Sequence, residues 1–202
     1  TLGDHLREQG VSCTLVGKTH MAPDKDGMAR LDIDPKSTVG KRVSEGGFDV
    51  FIRDDGNNNS DCLVRHSEDY DKYLRSHGMD GDNPWEEWAN TAQLPDGSLC
   101  SGWMLENSKY AARVPKEHSE TAWLTTRGID FIDAQGPDPW LCHLSYIKPH
   151  WPYLAPAPYN EIYSASDLPP VNRSNAELES DHPLMQAWTN MRVSQSFSRD
   201  EV

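Results

Sequence analysis

Residues 139–147, PWLCHLSYI, make a near-continuous apolar run bounded by prolines. Such a run reads as a strand buried on both faces of a parallel sheet. It follows SETAWLTTRGIDFIDAQG, in which Ser119 offers an N-cap, Ala122, Ile129 and Ile132 an apolar side, and Gly136 a terminator. A helix of about four turns feeding a buried strand belongs to α/β architecture. Two earlier segments supply further strands: VSCTLV at 11–16, a short buried one, and FDVFIR at 48–53, where Phe48, Val50 and Ile52 alternate. The expected fold is therefore α/β, with a mostly parallel central sheet flanked by helices.

The rest of the chain reads with less definition. TLGDHLREQG places Leu2 and Leu6 at helical spacing and Gly10 at a C-terminal cap, so a helix ends at Gln9. Residues 18–47 show no sustained period and read as a long irregular excursion. DDGNNNSD, at 54–61, is turn-rich and misplaces the glycine that a calcium loop requires. SEDYDKYLRSHG predicts a helix capped by Ser67, and DNPWEEWA another that starts at Pro84 and turns Trp85 and Trp88 to one face, toward the core or as a lid over substrate. The chain opens on Thr1 and closes on SFSRDEV, without a cap or polar tail, and reads as the central part, residues 1–202, of a longer catalytic domain.

Charge and cysteine usage narrow the function classes. With 19 Lys and Arg against 32 Asp and Glu, the net charge is -13. That balance disfavours nucleic acid and anionic membrane surfaces as partners, though it permits a locally basic pocket. No apolar run approaches the ~20 residues that span a bilayer, and no leader is visible, so the compartment stays open. Cys13, Cys62, Cys100 and Cys142 form no C-x-x-C pair, which signals neither a zinc site nor a disulfide framework. Cys13 and Cys142 fall inside apolar runs and read as small buried thiols.

Chemistry concentrates where the two best strands end. TLV runs into Gly17-Lys18-Thr19-His20, and HLSYI runs into Lys148-Pro149-His150-Trp151-Pro152. Ligands of open parallel sheets bind beyond the carboxyl ends of the strands, so the two loops are expected to converge on one pocket. That pocket would hold Lys18, His20 and His150, a positive centre in an acidic protein that suits an anionic substrate. The GKT of residues 17–19 is not a phosphate-binding P-loop: Gly10 lies seven residues before Gly17, the intervening residues are the strand itself, and Pro23 blocks a long helix. His143, inside the strand, reads as a buried, hydrogen-bonded histidine. His5, His66, His77 and His182 receive no role.

Three long segments in order, TLGDHLREQGVSCTLVGKTHMAPD, EHSETAWLTTRGIDFID and HLSYIKPHWPYLAPAPYNEIY, resemble the sulfatase and phosphonate monoester hydrolase branch of the alkaline phosphatase superfamily. The resemblance implies hydrolysis of sulfate, phosphate or phosphonate esters by a formylglycine nucleophile, made from a C/S-x-P-x-R motif, beside a divalent metal. Calcium is expected ahead of manganese or magnesium. None of the four cysteines is followed by x-P-x-R, so the nucleophile and the metal carboxylates are expected outside this chain, and the chain alone is expected to be inactive.

By the same resemblance Lys18 bridges the nucleophile and the anionic oxygens of the ester, and His20 hydrogen-bonds the formylglycine hydrate. His150 contacts the substrate oxygens and acts as acid to the leaving alcohol. Lys18 and His20 of GKTH match sulfatases, whereas some phosphonate hydrolases carry Tyr and Thr there. Sulfate ester hydrolysis is the leading expectation, with phosphonate or phosphate monoesters, or a catalytically dead anion-binding relative, as alternatives. The expected partner is a small anionic ester.

Overall fold

The computed structural model describes residues 1–21, 23–56, 68–170, 172, 174–177 and 179–195. It divides into two compact units, Thr1–Ile162 and Tyr163–Val202. The first begins with helix α1 (Leu2–Glu8), where Thr1 and Asp4 form a reciprocal capping box and Gln9 closes the C-terminus. Gly10, at φ +79°, then turns the chain into strand β1 (Ser12–Gly17).

β1 is the centre of a parallel sheet ordered β2-β1-β6, flanked by β2 (Asp49–Arg53) and β6 (Trp140–Ser145). Its alternating side chains serve two cores. Cys13 and Leu15 are fully buried with Phe48 and pack with Leu6 of α1. Val16 enters a larger cluster with Trp85, Trp123, Leu124 and Phe131.

Three expectations change on the way from β1 to β6. The stretch 18–47 is not irregular throughout, for it holds α2 (Lys25–Arg30), capped by Asp24, and α3 (Thr38–Ser44), capped by Ser37. Helices this short show less than two turns of period, so their caps are their main trace in the sequence. Helix α5 (Glu120–Asp133) has the predicted Ser119 cap, but its buried face is Trp123, Leu124, Gly128 and Phe131, while Ile129 and Ile132 are half exposed. Strand β6 is not buried on both faces: Trp140 and Leu144 are partly exposed, because β6 is an edge of the three-stranded sheet and β1 holds its centre.

Between β2 and α5 the chain builds α4 (Glu68–Ser76), a π-helical turn at Trp85–Ala89 and three strands of a small second sheet that a strand after β6 completes. Its strands are β3 (Thr91–Gln93), β4 (Leu99–Ser101), β5 (Ala111–Ala112) and β7 (Ala155–Pro156), in the order β4-β3-β5-β7. Trp85 is buried in the core, and Trp88 is half-buried beneath the Arg113 guanidinium, 3.6 Å from its ring centre. Ser67, read as the cap of α4, and residues 57–61 of the turn-rich loop lie outside the described residues.

The second unit has short 3-10 turns at Ala165–Asp167 and Asn175–Glu177, then helices α6 (Pro183–Thr189) and α7 (Arg192–Gln195). Among the described residues no helix is long and apolar enough to cross a membrane.

Candidate functional site

The carboxyl ends of the three parallel strands are joined by main-chain hydrogen bonds. Lys18 N donates to the Ser145 carbonyl at 3.2 Å, and Asp54 N donates to the Gly17 carbonyl at 3.0 Å. Gly17 has φ +112°, and a Cβ there would lie 1.9 Å from the Ser145 oxygen, so only glycine lets the loops approach this closely.

Lys18, His20 and His150 line one cavity of about 600 Å³ at this edge. The structure therefore brings together the three residues that the sequence singled out. Lys18 Nζ lies 3.0 Å from Asp55 Oδ1, with only 16% of its side chain exposed. Asp55 Oδ2 is 3.2 Å from Arg53 Nη2, and Arg53 Nε is 3.0 Å from Glu45 Oε1. Glu45 in turn accepts from the Thr19 hydroxyl, and Arg53 Nη2 donates to the Thr19 carbonyl at 3.3 Å. Two cations and two carboxylates thus hold the Lys18–His20 turn from below, in a balanced set that leaves no buried charge uncompensated.

His150 sits on a tight turn, its N–H donating to the Ile147 carbonyl at 2.8 Å. Its Nδ1 lies 2.6 Å from the Trp151 carbonyl oxygen. A carbonyl only accepts, so Nδ1 carries a proton and Nε2 is the nitrogen left for chemistry. Lys148 Nζ donates to the Pro152 carbonyl and so closes the turn beneath His150.

His150 also borders a second cavity, of about 620 Å³, lined by Trp85, Glu120, Lys148, Tyr153 and Leu154 among others. Glu120, in its lining, and Asp54 are almost fully buried, 6% and 4% exposed. Burial pushes both carboxyls up, Asp54 to about 6 and Glu120 well above its ordinary value. The Trp85 indole donates to Glu120 Oε1 at 3.0 Å. Burial draws Lys148 down, and its attraction to Glu120 opposes that shift.

A pH dependence follows from the buried carboxyls. Between about pH 4 and pH 6 the folded chain holds a proton that an unfolded Asp54, with its ordinary value of 3.8, has released, so this group's stability contribution is full below pH ~4 and is lost as pH rises through about 6. In the full-length protein, urea melts should show wild type losing on the order of 3 kcal/mol over that interval relative to Asp54→Asn. Parallel profiles would mean that the pair holds no extra proton.

Sequence reasoning missed Glu45, Arg53, Asp54, Asp55, Glu120 and Lys148. The one available signal was the run of charges, RDD, that ends β2 and continues past it. His143 departs from expectation as well. It is exposed on β6 and stacks on Phe48 with ring centres 5.3 Å apart, because the edge strand leaves that side chain uncovered.

Cys13, Cys100 and Cys142 are free thiols that burial pushes up; Cys13 is buried and Cys142 half-buried, and Cys62 lies outside the described residues. Among the described residues no group of three or more His, Cys, Asp and Glu side chains could hold a metal ion. The calcium, manganese or magnesium ion implied by the resemblance therefore finds no ligand set among them.

Comparison with known proteins agrees with this architecture. The multifunctional alkaline phosphatase superfamily protein PehA of Trinickia caryophylli is 29% identical over 190 residues, 93% of this chain and 33% of its own length. An arylsulfatase of Clostridium perfringens is 22% identical over 202 residues, 99% of this chain and 34% of its own length. The phosphonate monoester hydrolase of Silicibacter pomeroyi superposes with a TM-score of 0.68 at 22% identity, covering 100% of this chain and 35% of its own. That of Agrobacterium radiobacter gives a TM-score of 0.61 at 24% identity over 93% of this chain and 33% of its own. The two structures share the α/β fold with its mostly parallel sheet, and the chain spans about a third of the length of the relatives it matches. The family model described as Sulfatase matches residues 1–187, and the chain belongs to the sulfatase family.

Proposed function

We propose that this chain supplies the anion-binding and leaving-group side of a site that hydrolyses sulfate esters. The observation that carries the reading is the convergence of Lys18, His20 and His150 from two strand ends on one cavity of an otherwise strongly acidic chain. Lys18 meets the anionic oxygens of the ester and stabilises the charge that builds on them. His150, protonated at Nε2, gives its proton to the bridging oxygen as the bond to sulfur breaks and the alcohol leaves. His20 serves proton transfer at the attacking oxygen. The products are the free alcohol and hydrogen sulfate.

A phosphonate monoester is the second reading, favoured by the two solved relatives that carry that name. The lysine and histidine of GKTH favour sulfate. Assays of the full-length protein with an aryl sulfate and the matching aryl phosphonate monoester separate the two, and the expected result is the higher kcat/KM for sulfate. The reverse order would make the phosphonate the substrate. Binding of both without turnover would leave an anion-binding protein.

A further inference from the structure

The two cavities described above meet at one residue. Among the described residues His150 alone lines both, the anion cavity with Lys18 and His20 and the second cavity of about 620 Å³. The lining of the second is largely apolar. Trp85, Val114 and Leu154 are buried there, and Tyr153 and Tyr159, half exposed, add two rings. Its inner polar groups are already engaged within the protein. The Trp85 indole donates to Glu120 at 3.0 Å, the Lys148 ammonium donates to the Pro152 carbonyl, and the Ser119 hydroxyl donates to the Lys116 carbonyl at 2.8 Å. Burial also favours the uncharged form of Glu120. The Lys116 side chain is exposed and keeps its water. The cavity therefore offers area and volume but few free hydrogen-bonding groups, which is the make-up of a site for an apolar ligand.

We propose that this second cavity is the subsite for the alcohol half of the ester, and that it selects large apolar alcohols of two or more aromatic rings over sugars and other polyols. This inference rests on the role given above to His150. An acid that protonates the bridging oxygen lies next to the carbon bonded to that oxygen, so the alcohol begins at His150 and extends away from the anionic group held by Lys18 and His20. The cavity that His150 borders besides the anion cavity is the apolar one. Its volume falls in the range of pockets that enclose drug-sized molecules, roughly 300–1,000 Å³, and a single phenyl ring would leave much of it unfilled. Each further ring buried against Trp85, Val114 and Leu154 adds to binding. The hydroxyls of a sugar would instead be stripped of water and find the inner polar groups of the wall already paired.

The test follows binding of 2-naphthol to the full-length protein through the naphthol's own fluorescence, with phenol and glucose as competitors. Naphthol and phenol differ little in acidity, so the comparison reads the additional ring. Phenol should bind ~10-fold more weakly than naphthol, the scale of burying one further ring, and glucose should not displace it. Naphthol should also compete with whichever phenyl ester, sulfate or phosphonate monoester, the protein prefers. Ala122→Trp brings a large side chain into the cavity from a half-buried position on α5, and it should weaken naphthol binding by ~10-fold or more and phenol binding by less. Should that variant fail to fold, Tyr159→Ala removes one lining ring at an exposed position and should weaken naphthol more than phenol. Equal affinities for naphthol and phenol, displacement by glucose, naphthol binding that does not compete with the ester, or wild-type naphthol affinity in the folded variants would overturn the subsite while leaving the anion site intact. Wild-type turnover in both Lys18→Ala and His150→Ala would overturn the reading of the anion site, and the subsite with it.

Discussion

Lys18→Ala in the full-length enzyme should reduce turnover of an aryl sulfate by ~10²–10³-fold, the usual loss when one fixed donor to a charge-bearing oxygen is removed. The structure argues for the upper part of that range. Lys18 belongs to a set of two cations and two carboxylates with Arg53, Asp55 and Glu45. Removing it leaves one carboxylate in excess beneath the cavity, so the variant loses an attraction for the anionic ester and gains a repulsion. KM should therefore rise as kcat falls. Lys18→Arg should restore little, because the fork of a guanidinium cannot occupy the place of a compact ammonium held 3.0 Å from Asp55. The variant should fold but be less stable, since Asp55 loses Lys18 and keeps, among the described residues, only Arg53, at 3.2 Å, as its ion-pair partner. Steady-state kinetics with a parallel melt decide the matter: wild-type kcat and KM in Lys18→Ala would remove this residue from the site.

His150→Ala should cost ~10²–10⁴-fold in turnover, the range of general acid catalysis, with a loss that depends on the leaving group. An ester of an acidic phenol needs little help to expel its alcohol and should be affected least. An ester of a weakly acidic alcohol should be affected most. With Nδ1 committed to the Trp151 carbonyl, only Nε2 is left to carry the transferred proton. A series of aryl sulfates of graded leaving-group acidity should then give a steeper dependence of log kcat on that acidity in the variant than in wild type. The same loss for every ester would make His150 a binding group only.

The parts of this site that can be read from residues alone are those whose signal is local. β1 is a buried run with a sharp end, so its residues alone place Lys18 and His20 at a strand terminus, and His150 follows β6 in the same way. The supporting charges carry no such local mark. Glu120 resembles an ordinary acidic residue in the first turn of a helix, favoured there by the helix dipole, and only the packing of Trp85 and Asp54 around it reveals that it is buried. Asp54 and Asp55 are adjacent and chemically identical, yet one is enclosed and the other pairs with a lysine 37 positions away in the chain. Choice of partner is a tertiary property. Helix α5 carries apolar residues on two sides, and local periodicity cannot say that Leu124 and Phe131 face the core while Ile129 and Ile132 face outward.

The short pairing of β5 with β7 bears on how such a site could diversify. Ala111 pairs with Ala155 and Ala112 with Pro156, while the other end of the same segment is paired along β6 with β1. The span from Tyr146 to Leu154 is therefore an arch with both feet set in main-chain ladders, and main-chain ladders are largely indifferent to side-chain identity. Grafts of equal length between family members should leave the feet in place and exchange only what the arch displays, which makes this span a natural cassette for altering the kind of ester accepted.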